Sequence, residues 1–119
     1  WGTSANDVWL ASFNGDLLHF TGSTWSPVIT GPGVNFNAVF GSSASDAWSV
    51  GDNGKMSRWN GSSWATVVDG LFAPFNGLTG TSVSDAWVVG SGGSIRRWNG
   101  SAWLTVASGT SQNLNSAFA

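Results

Sequence analysis

Cysteine, tyrosine and glutamate are absent from these 119 residues, and lysine occurs once. Without cysteine there is neither a disulfide framework nor a thiolate metal site, and the redox compartment stays open. Lys55, Arg58, Arg96 and Arg97 face six aspartates for a net charge of −2. That excludes a phosphate-tracking surface, so no nucleic-acid partner is expected. No apolar run approaches the roughly 18 residues of a membrane span, and no membrane insertion is expected. No basic start followed by an apolar segment is visible, so no signal peptide is read. Paired carboxylates for glycoside hydrolysis would have to come from scattered aspartates.

Tryptophan is abundant instead, with nine copies, and it falls in register. Trp9, Trp48 and Trp87 are 39 residues apart. The same shift relates Asp7, Asp46 and Asp85, then Phe20, Trp59 and Trp98, then Trp25, Trp64 and Trp103. A fixed period near 40 is the mark of a repeat architecture. The chain divides into repeats 1–39, 40–78 and 79–117 within one array of residues 1–119.

Turn residues cut each repeat into four short strands. Asn14-Gly15, Asn53-Gly54 and Gly92-Gly93 form one set of turns, and Thr21-Gly22, Asn60-Gly61 and Asn99-Gly100 a second. Asn-Gly between apolar runs predicts type I′ hairpins, whose two central residues need positive φ. In the middle repeat this predicts a second strand around Ala47–Gly51, a third around Lys55–Trp59 and an outer one around Ser63–Val68. The inner strand is expected around Phe36–Phe40 and, in the next repeat, Phe75–Thr79. The second strand is apolar on both faces, as in Val8-Trp9-Leu10-Ala11, and must be covered on both sides. Pro27 marks the outer strand as an edge. The fold class predicted is therefore all-β: three four-stranded antiparallel β-propeller blades.

Three blades do not make a ring when propellers have typically 4–8. Trp1-Gly2 reads as the tail of an inner strand, and Asn113, Leu114, Asn115, Ser116, Ala117 and Phe118 read as an inner strand with no blade behind it. The expectation is head-to-tail assembly, in which Asn113–Phe118 of one chain completes the first blade of its neighbour. Two chains would give six blades, the favoured count, and three would give nine. The alternative is a piece cut from a longer natural ring.

The stretch Asp46–Gly54 (DAWSVGDNG) followed by Trp59–Trp64 (WNGSSW) resembles the tryptophan-rich propeller repeats of bacterial surface proteins. It is also similar to photosystem II assembly-factor type propellers and, more distantly, to Asp-box (BNR) repeats. In the Asp-box pattern Ser57, Gly61 and Trp64 match, while Trp59 stands where aspartate should be. The resemblance implies blade architecture over the whole chain and leaves activity open. The tyrosine nucleophile of the Asp-box sialidases has no counterpart here. An extracellular or cell-surface bacterial setting suits the Ser, Thr, Gly and Asn content. The repeats agree at only about half their positions by inspection, which reads as natural divergence, or as a selected fragment of a natural propeller, rather than an idealised design.

Asp7, Asp46 and Asp85 read as structural turn residues whose carboxylates bond nearby backbone N–H groups. His19, alone of its kind, is expected on a solvated strand face and forms no triad. Asp16, Asp52 and Asp69 are single loop acids without calcium-ligand spacing. No catalytic residue, metal or cofactor is expected. Trp9, Trp48 and Trp87 are expected as core between blades, and the aromatic pairs flanking the second turn as cross-strand pairs. The candidate ligand-binding residues are Arg58, Trp59, Asn60, Arg97, Trp98 and Asn99, where indole faces beside amide and guanidinium donors suit a carbohydrate. Asn37, Asn76 and Asn115 form a further column on the inner strand, expected to satisfy neighbouring backbone; the alternative is that they line the channel and bind solvent or a small polar ligand. The Asn-Gly-Ser sequons at Asn60 and Asn99 follow from turn chemistry alone. The reading is a non-catalytic propeller scaffold or binding module whose partner is itself. The alternative is a multivalent lectin-like propeller.

Overall fold

A computed structural model describes residues 1–29, 34–68 and 70–119 of the chain. Among these residues twelve strands form three four-stranded antiparallel sheets. The first holds β1 (Gly2–Ser4), β2 (Asp7–Ala11), β3 (Asp16–Phe20) and β4 (Trp25–Ile29), ordered β1-β2-β3-β4. The second holds β5 (Phe36–Ser43), β6 (Asp46–Gly51), β7 (Met56–Trp59) and β8 (Trp64–Val67). The third holds β9 (Phe75–Ser82), β10 (Asp85–Gly90), β11 (Ile95–Trp98) and β12 (Trp103–Thr105). Each sheet is a meander, so every strand pairs with its sequence neighbour. Inner strands β5 and β9 run three residues further than the sequence predicts, each with shifts of register along its ladder. Pro27 lies on the outermost strand β4, opposite Leu18, where the missing N–H faces away from the ladder.

The first set of turns is built as its sequence demands. Asn53 and Gly54 have φ of 54° and 70°, and the Lys55 N–H donates to the Asp52 carbonyl. Asn14 with Gly15 and Gly92 with Gly93 repeat the positive pair. The second set departs from type I′. Gly22, Gly61 and Gly100 have φ of 95–96°, but among the described residues Asn14 and Asn53 are the only non-glycines with positive φ. Asn60 instead uses its side chain: Oδ1 accepts from the backbone N–H groups of Ser62 and Ser63 at 2.9 and 3.0 Å. Asn99 does the same with Ser101 and Ala102. Asparagine is selected there for its side-chain carbonyl, as in an Asx-turn, rather than for left-handed backbone.

The core lies between sheets. Side chains alternate along a strand, so Trp48 and Val50 point one way from β6 and Ser49 the other. Trp48 and Trp9 are almost wholly buried. Trp9 meets Trp59 and Trp64 of the second sheet at centroid distances of 5.1 and 5.2 Å. Trp48 meets Trp98 and Trp103 of the third at 5.0 and 5.1 Å. Interplanar angles agree within 2° (57° and 83° against 57° and 85°), so the two interfaces are copies of one packing. Edge-on pairs of this kind contribute about 0.5–1.5 kcal/mol beyond their buried area. Phe20–Trp25, Trp59–Trp64 and Trp98–Trp103 are directly opposed on neighbouring strands, as predicted. Trp87 departs from the expectation: it is only partly buried, because among the described residues no further sheet covers the face of β10 on which it lies.

Candidate functional sites: the groove between blades and the open end faces

Three side chains recur as a column in each sheet. Asp46 accepts from Ser42 Oγ at 2.6 Å and from Arg58 Nε at 2.9 Å. The Arg58 guanidinium lies 4.9 Å from the Trp48 ring and 5.3 Å from the Trp98 ring of the next sheet. In the third sheet Asp85 accepts from Thr81 at 2.8 Å and from Arg97 Nε at 3.0 Å, and Arg97 lies 5.0 Å over Trp87. In the first, Asp7 accepts from Thr3 and stands 2.6 Å from His19 Nε2, and His19 stacks on Trp9 at 3.9 Å. Two expectations are corrected here. The recurring aspartates tie β-strands through side chains instead of capping backbone N–H groups; the turn N–H groups of Asn6, Ser45 and Ser84 go to Ser4, Ser43 and Ser82. His19 is not on a solvated face but occupies the place of an arginine, paired and stacked.

The Asp7 carboxyl is held below its ordinary value of 3.8, first by the Thr3 hydroxyl and then by His19. Asp85 is lowered likewise, by Thr81 and then Arg97. The hydroxyl four residues before each aspartate (Thr3, Ser42, Thr81) escaped the sequence reading, although its recurrence at 39 residues was a usable signal.

An open groove of about 770 Å³ runs between the second and third sheets. Arg58, Trp59 and Asn60 line it with Asp46, and hydroxyls of Ser42, Ser45, Thr81 and Ser82 form its rim. The structure thus brings together three of the six candidate ligand residues. Trp59 is partly exposed, its Nε1 donating to the Ala44 carbonyl at 3.0 Å. At the equivalent positions of the third sheet Arg97 lies over Trp87, while Trp98 packs back on Trp48 as Trp59 does on Trp9, is buried, and donates to the Val83 carbonyl. Asp52 accepts from Asn35 and Asn37, so it is bound within the inner strands. Asp69 lies outside the described residues.

The two end sheets leave opposite faces open. On the third, Trp87, Thr79, Val89 and Ile95 line an apolar hollow of about 230 Å³ closed by Ala117, Phe118 and Ala119. On the first, Trp25 is 45% exposed and Leu10 44%. The final segment 113–118, expected as a strand, has no sheet partner among the described residues, and Phe118 is 99% exposed. It is nonetheless seated as an inner strand would be. Leu114 N–H donates to the Gly90 carbonyl as Phe36 N–H does to that of Ser12. Asn113 Oδ1 accepts from the Gly92 N–H as Asn35 Oδ1 does from Asn14, both at 3.0 Å. Asn76 Nδ2 donates to the Leu114 carbonyl at 3.0 Å as Asn37 Nδ2 does to that of Phe75 at 2.9 Å. Gly77 lets the segment approach: a Cβ there would come within 2.9 Å of Ser116 Cα.

Among solved structures, that of YCF48 bound to D1 peptide superposes on this chain with a TM-score of 0.71, covering 87% of it at 23% identity. The three sheets are β-propeller blades. At that identity the likeness establishes the fold, in line with the resemblance to assembly-factor type propellers. This chain spans 38% of the YCF48 chain. Neither a protein-family model nor a curated protein matches it. In propeller terms β1, β5 and β9 are the inner strands of their blades, and the asparagine column links each inner strand to the next.

Proposed function

We propose that this chain is a non-catalytic β-propeller scaffold and binding module that assembles head-to-tail with copies of itself into a closed ring. The complementarity of the two open faces carries this reading. Trp87 and Arg97 present the surface that Trp9 and Trp48 offer inside the chain, and Phe20 with Trp25 present the surface of Trp59 with Trp64. Each open face is what the other covers within the array. Asn113–Phe118 then serves as the inner strand of the neighbour's first blade. Two chains give six blades, inside the usual range of 4–8, and three give nine. The likeness to a propeller solved with a bound peptide supports a binding role. Sedimentation velocity tests the assembly. The wild-type chain is expected to sediment as a dimer and Trp87→Ala as a folded monomer; a variant that assembles as tightly as wild type would overturn the face-to-face contact.

The groove favours a second reading as a multivalent carbohydrate-binding propeller. Trp59 offers a partly exposed ring face beside Arg58, Asn60 and a rim of hydroxyls, a set that stacks on a sugar ring and bonds its hydroxyl groups. Screening against immobilised glycans with detection into the millimolar range decides it. Binding lost in Trp59→Ala supports the lectin reading, and silence across the array removes it.

A further inference from the structure

The hydrogen-bonding groups of the groove between the second and third blades are not equally available. Asp46 is buried and both its oxygens are taken, Oδ1 by Arg58 Nε and Nη2 at 2.9 and 2.8 Å and Oδ2 by the Ser42 hydroxyl. Among the described residues no other acid lines the groove. Arg58 turns one edge of its guanidinium to that carboxylate. The edge formed by Nη1 and the second N–H of Nη2 has no hydrogen-bond partner among the described residues, and the side chain is 33% exposed. Contacts with the Trp48 ring at 4.9 Å and the Trp98 ring at 5.3 Å hold the guanidinium in place from both blades. The Trp59 indole N–H is committed to the Ala44 carbonyl, which leaves its ring for stacking. Asn60 Oδ1 accepts from Ser62 and Ser63, which leaves Nδ2 as a donor. The hydroxyls of Ser42 and Thr81 donate to Asp46 and Asp85. Val83, 53% exposed, adds apolar surface from the third blade. What the groove still offers is a stacking ring and a set of donors, one of them cationic.

We infer that this groove selects an acidic sugar, a pyranose ring carrying a carboxylate or sulfate. The ring stacks on Trp59, and the anionic group takes two parallel N–H···O bonds from the unpaired edge of Arg58. Asn60 Nδ2 donates to a further oxygen of the same sugar. A neutral sugar stacks equally well but leaves the cationic edge to water. The chain carries a net charge of −2, so attraction of an anion has to be local to this edge. The corresponding positions 39 residues earlier are His19, Phe20 and Thr21, which carry neither guanidinium nor amide, and the His19 ring nitrogen Nε2 already faces Asp7. Acid selection therefore belongs to the interface of the second and third blades and not to that of the first and second. This deepens the carbohydrate reading above, on which it rests, by naming the class of sugar and the groups that choose it.

Titration of the tryptophan fluorescence with three probes tests it: tetragalacturonate, its fully methyl-esterified form and a sulfated carrageenan tetrasaccharide. At least one acidic probe is expected to bind about ten-fold or more tighter than the ester, and the two acidic arms tell carboxylate from sulfate. Asn60→Asp keeps the turn, since a carboxylate accepts the same two backbone N–H groups, but replaces the donor with a negative charge. Arg58→Lys keeps the charge and a partner for Asp46 but loses the fork. Circular dichroism is expected to show both variants folded, and both are expected to bind the acidic probe no better than the ester. Equal affinity for acid and ester, with binding still lost in Trp59→Ala, overturns the selection and leaves the carbohydrate reading standing. Undiminished acid binding in folded Asn60→Asp and Arg58→Lys overturns the assignment to these residues. Silence of all three probes overturns the acidic-sugar site, and the glycan array then decides the wider reading separately.

Discussion

Ser49 and Ser57 face each other across β6 and β7, both buried, and neither hydroxyl has a hydrogen-bond partner among the described residues. In the third blade the position of Ser49 is held by Val88, which is equally buried. Removing a buried unsatisfied hydroxyl in favour of a side chain already proven at the equivalent place should stabilise the fold. Ser49→Val is predicted to gain about 1–2 kcal/mol in urea unfolding. Trp48→Ala should cost about 3–5 kcal/mol, because it empties the centre of the interface between the second and third blades. The aspartates give the pH dependence. Asp7 and Asp85 titrate lower in the folded chain than their ordinary 3.8, so their contribution is complete above that value. It is lost as pH falls through the folded values. Tryptophan fluorescence should therefore report a stability plateau above about pH 5 that declines on acidification, and Asp7→Asn with Asp85→Asn should flatten the decline. The aspartate column was legible from its period. Its partners were not, because the strand that supplies the cation lies twelve residues on, and spacing alone does not say which side chains meet across a ladder.

At the scale of single elements, the turns divide into two physical types that look alike as sequence. Asn53 adopts left-handed backbone, whereas Asn60 keeps ordinary backbone and its side-chain carbonyl accepts from the loop N–H groups. Both are followed by glycine, so the dipeptide marked the place of each hairpin and misassigned one of them. Glycines separate further by surroundings. A Cβ on Gly54 would lie 1.9 Å from the Leu71 carbonyl oxygen, whereas one on Gly92 meets nothing within 4 Å. Both have positive φ, so Gly92→Ala should cost about 1–2 kcal/mol from backbone conformation alone. Gly54→Ala should cost distinctly more, and thermal melts of the pair measure the difference. The inner strands were underestimated in length because their last residues, Gly41-Ser42-Ser43 and Gly80-Thr81-Ser82, read as loop by composition. They are held in the ladder by pairing with Asp46–Ala47 and Asp85–Ala86.

Over the whole molecule, a strict 39-residue register gave the architecture almost completely, because every blade needs the same aromatic positions to pack on the next. What repetition hides is the difference between inside and end. Trp9, Trp48 and Trp87 are one column in the sequence, yet the first two are buried and the third is not. The candidate ligand residues divide too: Arg58, Trp59 and Asn60 share a groove, while Arg97 lies over Trp87 on the uncovered side and Trp98 is buried against Trp48. The array measures 44 × 29 × 21 Å and leaves apolar side chains open on both end sheets, Leu10 and Trp25 on the first and Trp87 on the third, a form that invites association. Native mass spectrometry of the 119-residue chain is the most direct test of that association. A dominant dimer is expected, dissociating when segment 113–118 is deleted, with a trimer preserving the mechanism at nine blades. A well-folded monomer that stays monomeric at high micromolar concentration would contradict it.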